Sequence, residues 1–240
     1  MSLPVAILAG GLAKRLRPIT ETLPKSLVDI QGEPFVAHQL RLLGNRGIQR
    51  VVICAGYLGE MIREAVGNGQ RFGVQVDFSF DGPQLLGTAG ALKKALPLLG
   101  NSFFVLYGDS YLPCDYQRIQ EAFEQSGRLA LMTIFPNHGR WDRSNVEFLG
   151  SEILAYDKEH QTPAMHHIDY GLGVFQQRGF ATISVTQPHD LAQLYQDLLK
   201  QKELAAYEVR ERFYEIGSLV GLEEMRRYVA EHFPRPRRPL

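Results

Sequence analysis

Cysteine is scarce in this 240-residue chain, which has only Cys54 and Cys114, so neither a disulfide framework nor a CxxC metal site is indicated. Net charge is lacking as well. The 26 basic residues equal the 26 acidic ones, which argues against a general binder of nucleic acid or membrane surfaces and confines any anion site to a local cluster. No apolar run approaches the roughly twenty residues of a membrane helix, and no secretory h-region is found, so the cytosol is the expected compartment. Several signatures are also missing: GxxxxGK(S/T), GxGxxG, HxH, HExxH and DxD. His166 and His167 are adjacent, and on a strand they would point to opposite faces, which makes them poor co-ligands for zinc.

What the chain does have is apolar substance, 45% of its residues, enough to bury a full core. Val5 to Leu8 reads as a short buried strand. Pro34 opens and Gly47 closes a helical pattern over Pro34 to Arg46, and Arg50 to Ala55 is a second buried strand. A helix over Gly59 to Val66, a strand over Val74 to Phe80, a helix ending near Leu99 and a strand over Phe103 to Tyr107 continue the alternation. Tyr116 to Ser126 (helix) and Leu129 to Phe135 (strand) follow. Beyond them lie a small hairpin of Asn145 to Phe148 and Ile153 to Asp157 around Gly150, a strand over Ile168 to Phe175, a helix over Leu191 to Gln201, a strand over Ala206 to Val209 and a closing helix after Ser218. This order predicts an α/β fold, a Rossmann-like three-layer αβα sandwich with a mostly parallel mixed sheet, with ligands beyond the carboxyl ends of the strands.

The stretch at the end of the first strand carries the most chemistry. Leu8 to Leu27, LAGGLAKRLRPITETLPKSL, puts Gly10 and Gly11 beside Lys14, Arg15, Arg17 and Lys25. Two glycines let backbone N–H groups approach an anion, and the basic side chains add full charges to those partial ones. Two glycines after a strand also serve in plain tight turns, but the four basic residues favour a phosphate site for a nucleoside triphosphate. Further on, Asp81 to Gly90 (DGPQLLGTAG) follows a strand end, with Thr88 either a helix N-cap or part of a ligand loop. Asp109, after the strand ending at Tyr107, is either a turn former or a carboxylate placed to hold magnesium.

The glycine stretch resembles the signature of the sugar-phosphate nucleotidylyltransferases, close to LAGGxGxRLxPxTxxxPKxL. Ala13 stands where glycine is usual, and Lys14 where a small residue or threonine is common. The resemblance implies a GT-A-like nucleotidyltransferase fold in one domain over 1–240: a nucleotide-binding half of about 1–110, a sugar-phosphate-binding half of about 111–233 and a basic Pro/Arg tail, 234–240. It implies a nucleoside triphosphate bound by Leu8, Ala9, Gly10, Gly11, Lys14, Gln84, Gly87 and Thr88, with Arg15 and Lys25 catalytic. It implies Mg2+ on Asp109 and on Glu215, which replaces the family's usual aspartate, and a sugar 1-phosphate held by Glu147, Lys158 and Gly171. Glu147 and Lys158 could equally form a cross-strand ion pair. Trp141, Arg143 and Asp169 are candidates without a counterpart in the resemblance.

The reaction this resemblance implies is transfer of a nucleoside monophosphate to a sugar 1-phosphate with release of pyrophosphate. The short form looks closest to the mannose- and heptose-1-phosphate guanylyltransferases and related uridylyltransferases, which places GTP slightly ahead of UTP. No nucleic-acid or membrane partner is expected, and a homo-oligomer is compatible with the sequence. Two other readings stay open: a GT-A-type glycosyltransferase, disfavoured by the missing DxD, and a catalytically inactive nucleotide-sugar-binding regulatory module, motivated by Ala13, Lys14 and Glu215.

Overall fold

A computed structural model describes residues 2–11, 16 and 19–233. Its strands are β1 (Val5–Leu8), β2 (Asp29–Ile30), β3 (Glu33–Pro34), β4 (Arg50–Ala55), β5 (Gln75–Phe80), β6 (Ser102–Tyr107), β7 (Ser110–Tyr111), β8 (Ala130–Pro136), β9 (Val146–Leu149), β10 (Glu152–Tyr156), β11 (His167–Gln176), β12 (Leu204–Glu208) and β13 (Tyr214–Glu215). Its helices are α1 (Phe35–Asn45), α2 (Gly59–Val66), α3 (Gly87–Leu99), α4 (Tyr116–Ser126), α5 (Leu191–Lys200) and α6 (Leu219–His232). Nine strands form one sheet in the order β10-β9-β11-β6-β1-β4-β5, with β8 beside β11 and β12 beside β8. Pairing is parallel from β6 through β1 and β4 to β5, and again between β8 and β12. It is antiparallel around the long strand β11.

Strand periodicity explains the layers. Val5 and Ile7 of β1, Val51 and Ile53 of β4, and Phe104 and Leu106 of β6 turn to one face, where Leu40 of α1, Ile62 of α2 and Ile119 of α4 cover them. Their neighbours Ala6, Val52, Phe103 and Val105 turn to the other face, under Leu92 and Leu96 of α3 and Leu194 and Leu198 of α5. Both faces are covered, which is why these strands read as near-continuous apolar runs. A third cluster, with Ile30, Tyr111, Ile216 and Met225, seats α6 on the small β2–β3 and β7–β13 ribbons.

Element ends differ from the sequence reading by a residue or two, as fraying ends do. One difference is chemical. Thr88 is not an N-cap of α3, whose cap is Leu86; instead its Oγ1 accepts from the Leu191 N–H at 2.7 Å and helps to start α5. The first turn of α3 is capped by the carbonyl of His189, which accepts from the Ala89 N–H at 2.9 Å. No described helix is long and apolar enough to cross a membrane.

Candidate active site

The carboxyl ends of β1, β4, β5 and β6 open into a cavity of about 290 Å³. Leu8, Ala9, Gly10 and Gly11 line it along one side, and Gly87 and Thr88 of α3 face them. Gly10 is glycine for packing: a Cβ there would lie 3.1 Å from the Gly56 backbone nitrogen, and one on Gly56 would lie 2.8 Å from the Gly10 oxygen. A Cβ on Gly11 would meet no described residue within 4 Å, so of the pair it is Gly11 that packs less closely against the described chain. Lys14 and Arg15 lie outside the described residues.

Lys25, in a 3₁₀ turn after the glycine loop, reaches across to the end of β6, where its Nζ donates to Asp109 Oδ2 at 2.8 Å. Both residues line the cavity.

At the opposite end of the cavity stands a residue the sequence reading quoted but did not single out. Asp81, immediately after β5, is buried, and its Oδ2 accepts from the Leu86 N–H at 3.3 Å. Burial raises its carboxyl above the ordinary carboxylate range, against the lowering effects of that hydrogen bond and of Lys94. Burial, reinforced by Asp81, also pushes the Cys54 thiol beside it up to about 12, so this wall offers a neutral thiol. The loop that Asp81 ties down turns Leu85 into the cavity and leaves Gln84 exposed outside it. Gly87, with φ +72°, packs so closely on the chain at His189 that a Cβ would lie 2.4 Å from the His189 oxygen.

A second, larger cavity of about 680 Å³ adjoins the first on the antiparallel side, and Tyr107 and Asp109 line both. Lys158 and Gly171 line it, but Glu147 lines neither cavity. The alternative pairing of Glu147 with Lys158 does not form. Glu147 stands opposite Ala155 across an irregular β9–β10 register, whereas Lys158 lies past the end of β10 and pairs with Asp169 at 3.4 Å. Asp169 organises this end. Its side chain is 4% exposed and accepts from the Gly171 N–H at 3.0 Å and the Tyr156 hydroxyl at 3.2 Å. Lys158 also donates to the Tyr107 hydroxyl at 3.3 Å and lies over that ring. Burial, with the nearby carboxylates of Asp169, Asp190 and Asp109, holds the Tyr107 phenol well above its usual value, so it remains a neutral donor. Arg143 and Trp141 line the outer part of this cavity. Arg212, which carries no motif, lines it too and lies 5.0 Å over the Trp141 ring.

Glu215 pairs with Ser110 across the β7–β13 ribbon, one residue from Asp109, and both acids line the larger cavity. The Glu215 carboxylate accepts from the Gly217 N–H and the Ser218 hydroxyl, which ties it to the start of α6. Among the described residues no three His, Cys, Asp or Glu side chains gather closely enough to hold a metal by themselves. Two carboxylates lining one cavity still fit Mg2+ chemically, since that ion takes hard oxygen ligands and commonly only one or two carboxylates, the rest coming from substrate phosphate and water.

Comparison with known proteins gives these cavities a context. The family profile described as Nucleotidyl transferase matches residues 5–143. The chain is 40% identical over 111 residues to the N-acetylmuramate alpha-1-phosphate uridylyltransferase of Neisseria meningitidis, covering 46% of this chain and 48% of that one. It is 27% identical over 217 residues to the mannose-1-phosphate guanylyltransferase catalytic subunit beta of Danio rerio, covering 88% and 60% respectively. The chain spans about half the length of the curated relatives it matches. Among solved structures, a putative glucose-1-phosphate thymidylyltransferase from Bacillus anthracis superposes with a TM-score of 0.84 over 98% of this chain and 97% of that one, at 21% identity, which speaks to fold alone. On the profile match, which takes in the glycine loop, α3 and Asp109, the chain belongs to the nucleotidyl transferase family.

Proposed function

We propose that this chain is a sugar-1-phosphate nucleotidylyltransferase, which moves a nucleoside monophosphate from a nucleoside triphosphate to a sugar 1-phosphate and releases pyrophosphate. The observation that carries the reading is the shared wall: Asp109 and Tyr107 line both a cavity beside the glycine loop and a larger polar one beyond it, with Lys25 held at the junction. An oxygen of the sugar phosphate attacks the α-phosphorus, and the bond from that phosphorus to the bridging oxygen of the β-phosphate breaks, its electron pair leaving with pyrophosphate. The attacking oxygen is already ionised at neutral pH, so no general base is required. The work is positioning and charge stabilisation. Lys25 meets the phosphates at the reacting centre, and Arg15 the triphosphate and leaving group. Lys14, Gly11 and the loop backbone cradle the triphosphate, and Lys158 the acceptor phosphate. Magnesium held by Asp109 and Glu215 supplies charge neutralisation of phosphate oxygens when bound.

Asp81 supports guanine as the base. An ionised carboxylate only accepts hydrogen bonds, and guanine presents two adjacent donors, N1–H and the N2 amino group, on one edge. Uracil, thymine, adenine and cytosine each place an acceptor beside their donor. This supports the reading of GTP ahead of UTP. The two buried cysteines, both free thiols, are compatible with a cytosolic reading. The test is pyrophosphate release with magnesium, crossing five nucleoside triphosphates with a set of sugar 1-phosphates. Release that needs one nucleotide and one sugar phosphate together supports the reading; nucleotide binding without release in any pairing overturns it.

A further inference from the structure

Charge is spread unevenly along the larger cavity. At its inner end Asp109, Ser110 and Gly171 adjoin Lys25 and Lys158. Its outer end is the loop at 137–144, between β8 and β9, which carries Arg140, Trp141 and Arg143. Strand β11 measures the distance between them. Gly171 sits against Ser110, where a Cβ would lie 3.2 Å from the Ser110 hydroxyl, and His167 pairs with Pro136, the last residue before the loop. Four residues of strand, irregular at Gly171 (φ +96°), lie between the two ends, so their backbones are at most roughly 13 Å apart. If the anomeric phosphate of the acceptor lies at the Asp109 end, the arginine loop faces another part of the same molecule.

The loop is built to present its side chains. Asn137 is fully buried, and its Nδ2 donates to the Asp142 carbonyl at 2.7 Å and to Ser144 Oγ at 3.1 Å, while its Oδ1 accepts from the Trp141 N–H at 3.4 Å. The Trp141 ring packs on Phe135 at 5.4 Å and Phe213 at 6.1 Å. Arg212 approaches from the far side, stacked on Trp141 and on Tyr214 and paired with Glu224. Arg140 and Arg143 are exposed, and neither forms an ion pair with a described residue. Most acids of the cavity are already held: Asp109 by Lys25, Asp169 by Lys158 and Tyr156, Glu215 by Ser218 and Glu224 by Arg212. Asp142 and Glu159 remain at the rim, and Asp142 Oδ1 accepts from the Arg143 N–H at 2.7 Å.

We propose that Arg140 and Arg143 bind a second anionic group of the acceptor, so that the acceptor is an acidic sugar 1-phosphate and not a neutral one. This rests on the acceptor reading of the larger cavity given above. A planar guanidinium meets a carboxylate or a phosphate through paired N–H donors, and either group fits here.

Calorimetric titration of the intact chain, with magnesium present, tests it using three probes: glucose 1-phosphate, glucuronic acid 1-phosphate and glucose 1,6-bisphosphate. At least one of the two probes that carry a second anionic group is expected to bind about tenfold or more tightly than glucose 1-phosphate, the range of a charge-assisted hydrogen bond. Preference for the glucuronate names a carboxylate, and preference for the bisphosphate a phosphate. The variant carrying Arg140→Ala and Arg143→Ala should lose that preference while binding glucose 1-phosphate as before. Equal binding of all three probes, absence of binding by any, or a preference that survives in the double variant overturns the proposal. Both arginines are exposed, and the wild-type comparison decides without any variant. Failure of the transferase reading is separate: it appears as no pyrophosphate release while discrimination among the probes persists.

Discussion

Lys25→Met separates holding the site together from working in it. The Nζ lies 2.8 Å from Asp109 Oδ2, with 16% and 31% of the two side chains exposed. With an effective dielectric of about 20, the gross attraction at that separation is about 6 kcal/mol. Desolvation of the charges and ordering of the lysine cancel most of it, leaving roughly 1–2 kcal/mol for a charge-assisted hydrogen bond at a part-exposed position. Methionine keeps the apolar stem, so a chain of this size should lose about 2–8 °C in Tm. Turnover should fall much further, by about a hundred- to a thousandfold, because a preorganised charge facing charge that develops on phosphate is worth more than the same charge at rest. The assays are pyrophosphate release at saturating substrates and a thermal melt. Asp109→Asn breaks the same pair from the other side, and the double variant should lose less Tm than the two single losses summed, since the partners share one interaction. Turnover within a few-fold of wild type, with Tm lowered as stated, would make the pair purely structural and refute the reasoning.

Asp81→Asn should raise Tm at neutral pH. Burial raises the native carboxyl above its ordinary 3.8, so the stabilising contribution of the protonated form is complete below that value and lost as pH rises through the native pKa; the gain from asparagine should therefore shrink in melts run towards pH 3.8, and a constant gain would refute the burial argument. The same variant should narrow the preference for GTP over ITP, whose base lacks the N2 amino group, in a competition binding assay. Gly87→Ala puts a methyl 2.4 Å from the His189 oxygen at φ +72°, so a loss of about 2 kcal/mol or more in urea unfolding is expected, and an unchanged midpoint would mean that the α3–α5 junction gives way freely. Thr88→Val leaves the Leu191 N–H without its 2.7 Å partner and should cost about 1 kcal/mol, while Thr88→Ser should restore most of it.

The layers were legible because alternation along β1, β4 and β6 sends successive residues into two different clusters, and such strands read as apolar runs bounded by helical patterns. The strand ends were legible too: Asp81 stands directly after β5, and Asp109 follows β6 with one glycine between. What escaped reading depended on local chain path. Gln84 was expected at the base, but the hydrogen bond from Leu86 to Asp81 folds the loop so that Leu85 enters the cavity. Lys158 was set against Glu147 on the assumption that the ladder continued; it ends at Tyr156, and the released lysine turns to Asp169. Asp169 itself stands where the β8–β11 register shifts, and no residue pattern announces that shift.

These pairings bear on how a chain without net charge would hold the two anionic substrates proposed for it. Lys25 and Lys158 are each matched by a carboxylate, Asp109 and Asp169, so both lysines are positioned before a ligand binds. The carboxylates fix where the ammonium groups point before any substrate arrives, which lowers the ordering cost when phosphate binds. They also set a condition: phosphate must share or replace a carboxylate at each lysine, and two like charges around one ammonium are tolerated only when further positive charge is supplied. For Asp109 the proposed magnesium would supply it. For Asp169, held by the Tyr156 hydroxyl and the Gly171 N–H, the carboxylate keeps two other donors, so Lys158 can turn to a phosphate without leaving a buried charge unpaired. The two lysines thus differ in kind. On the proposed reading, Lys25 would depend on a partner brought with the substrates, and Lys158 on a network already present in the fold.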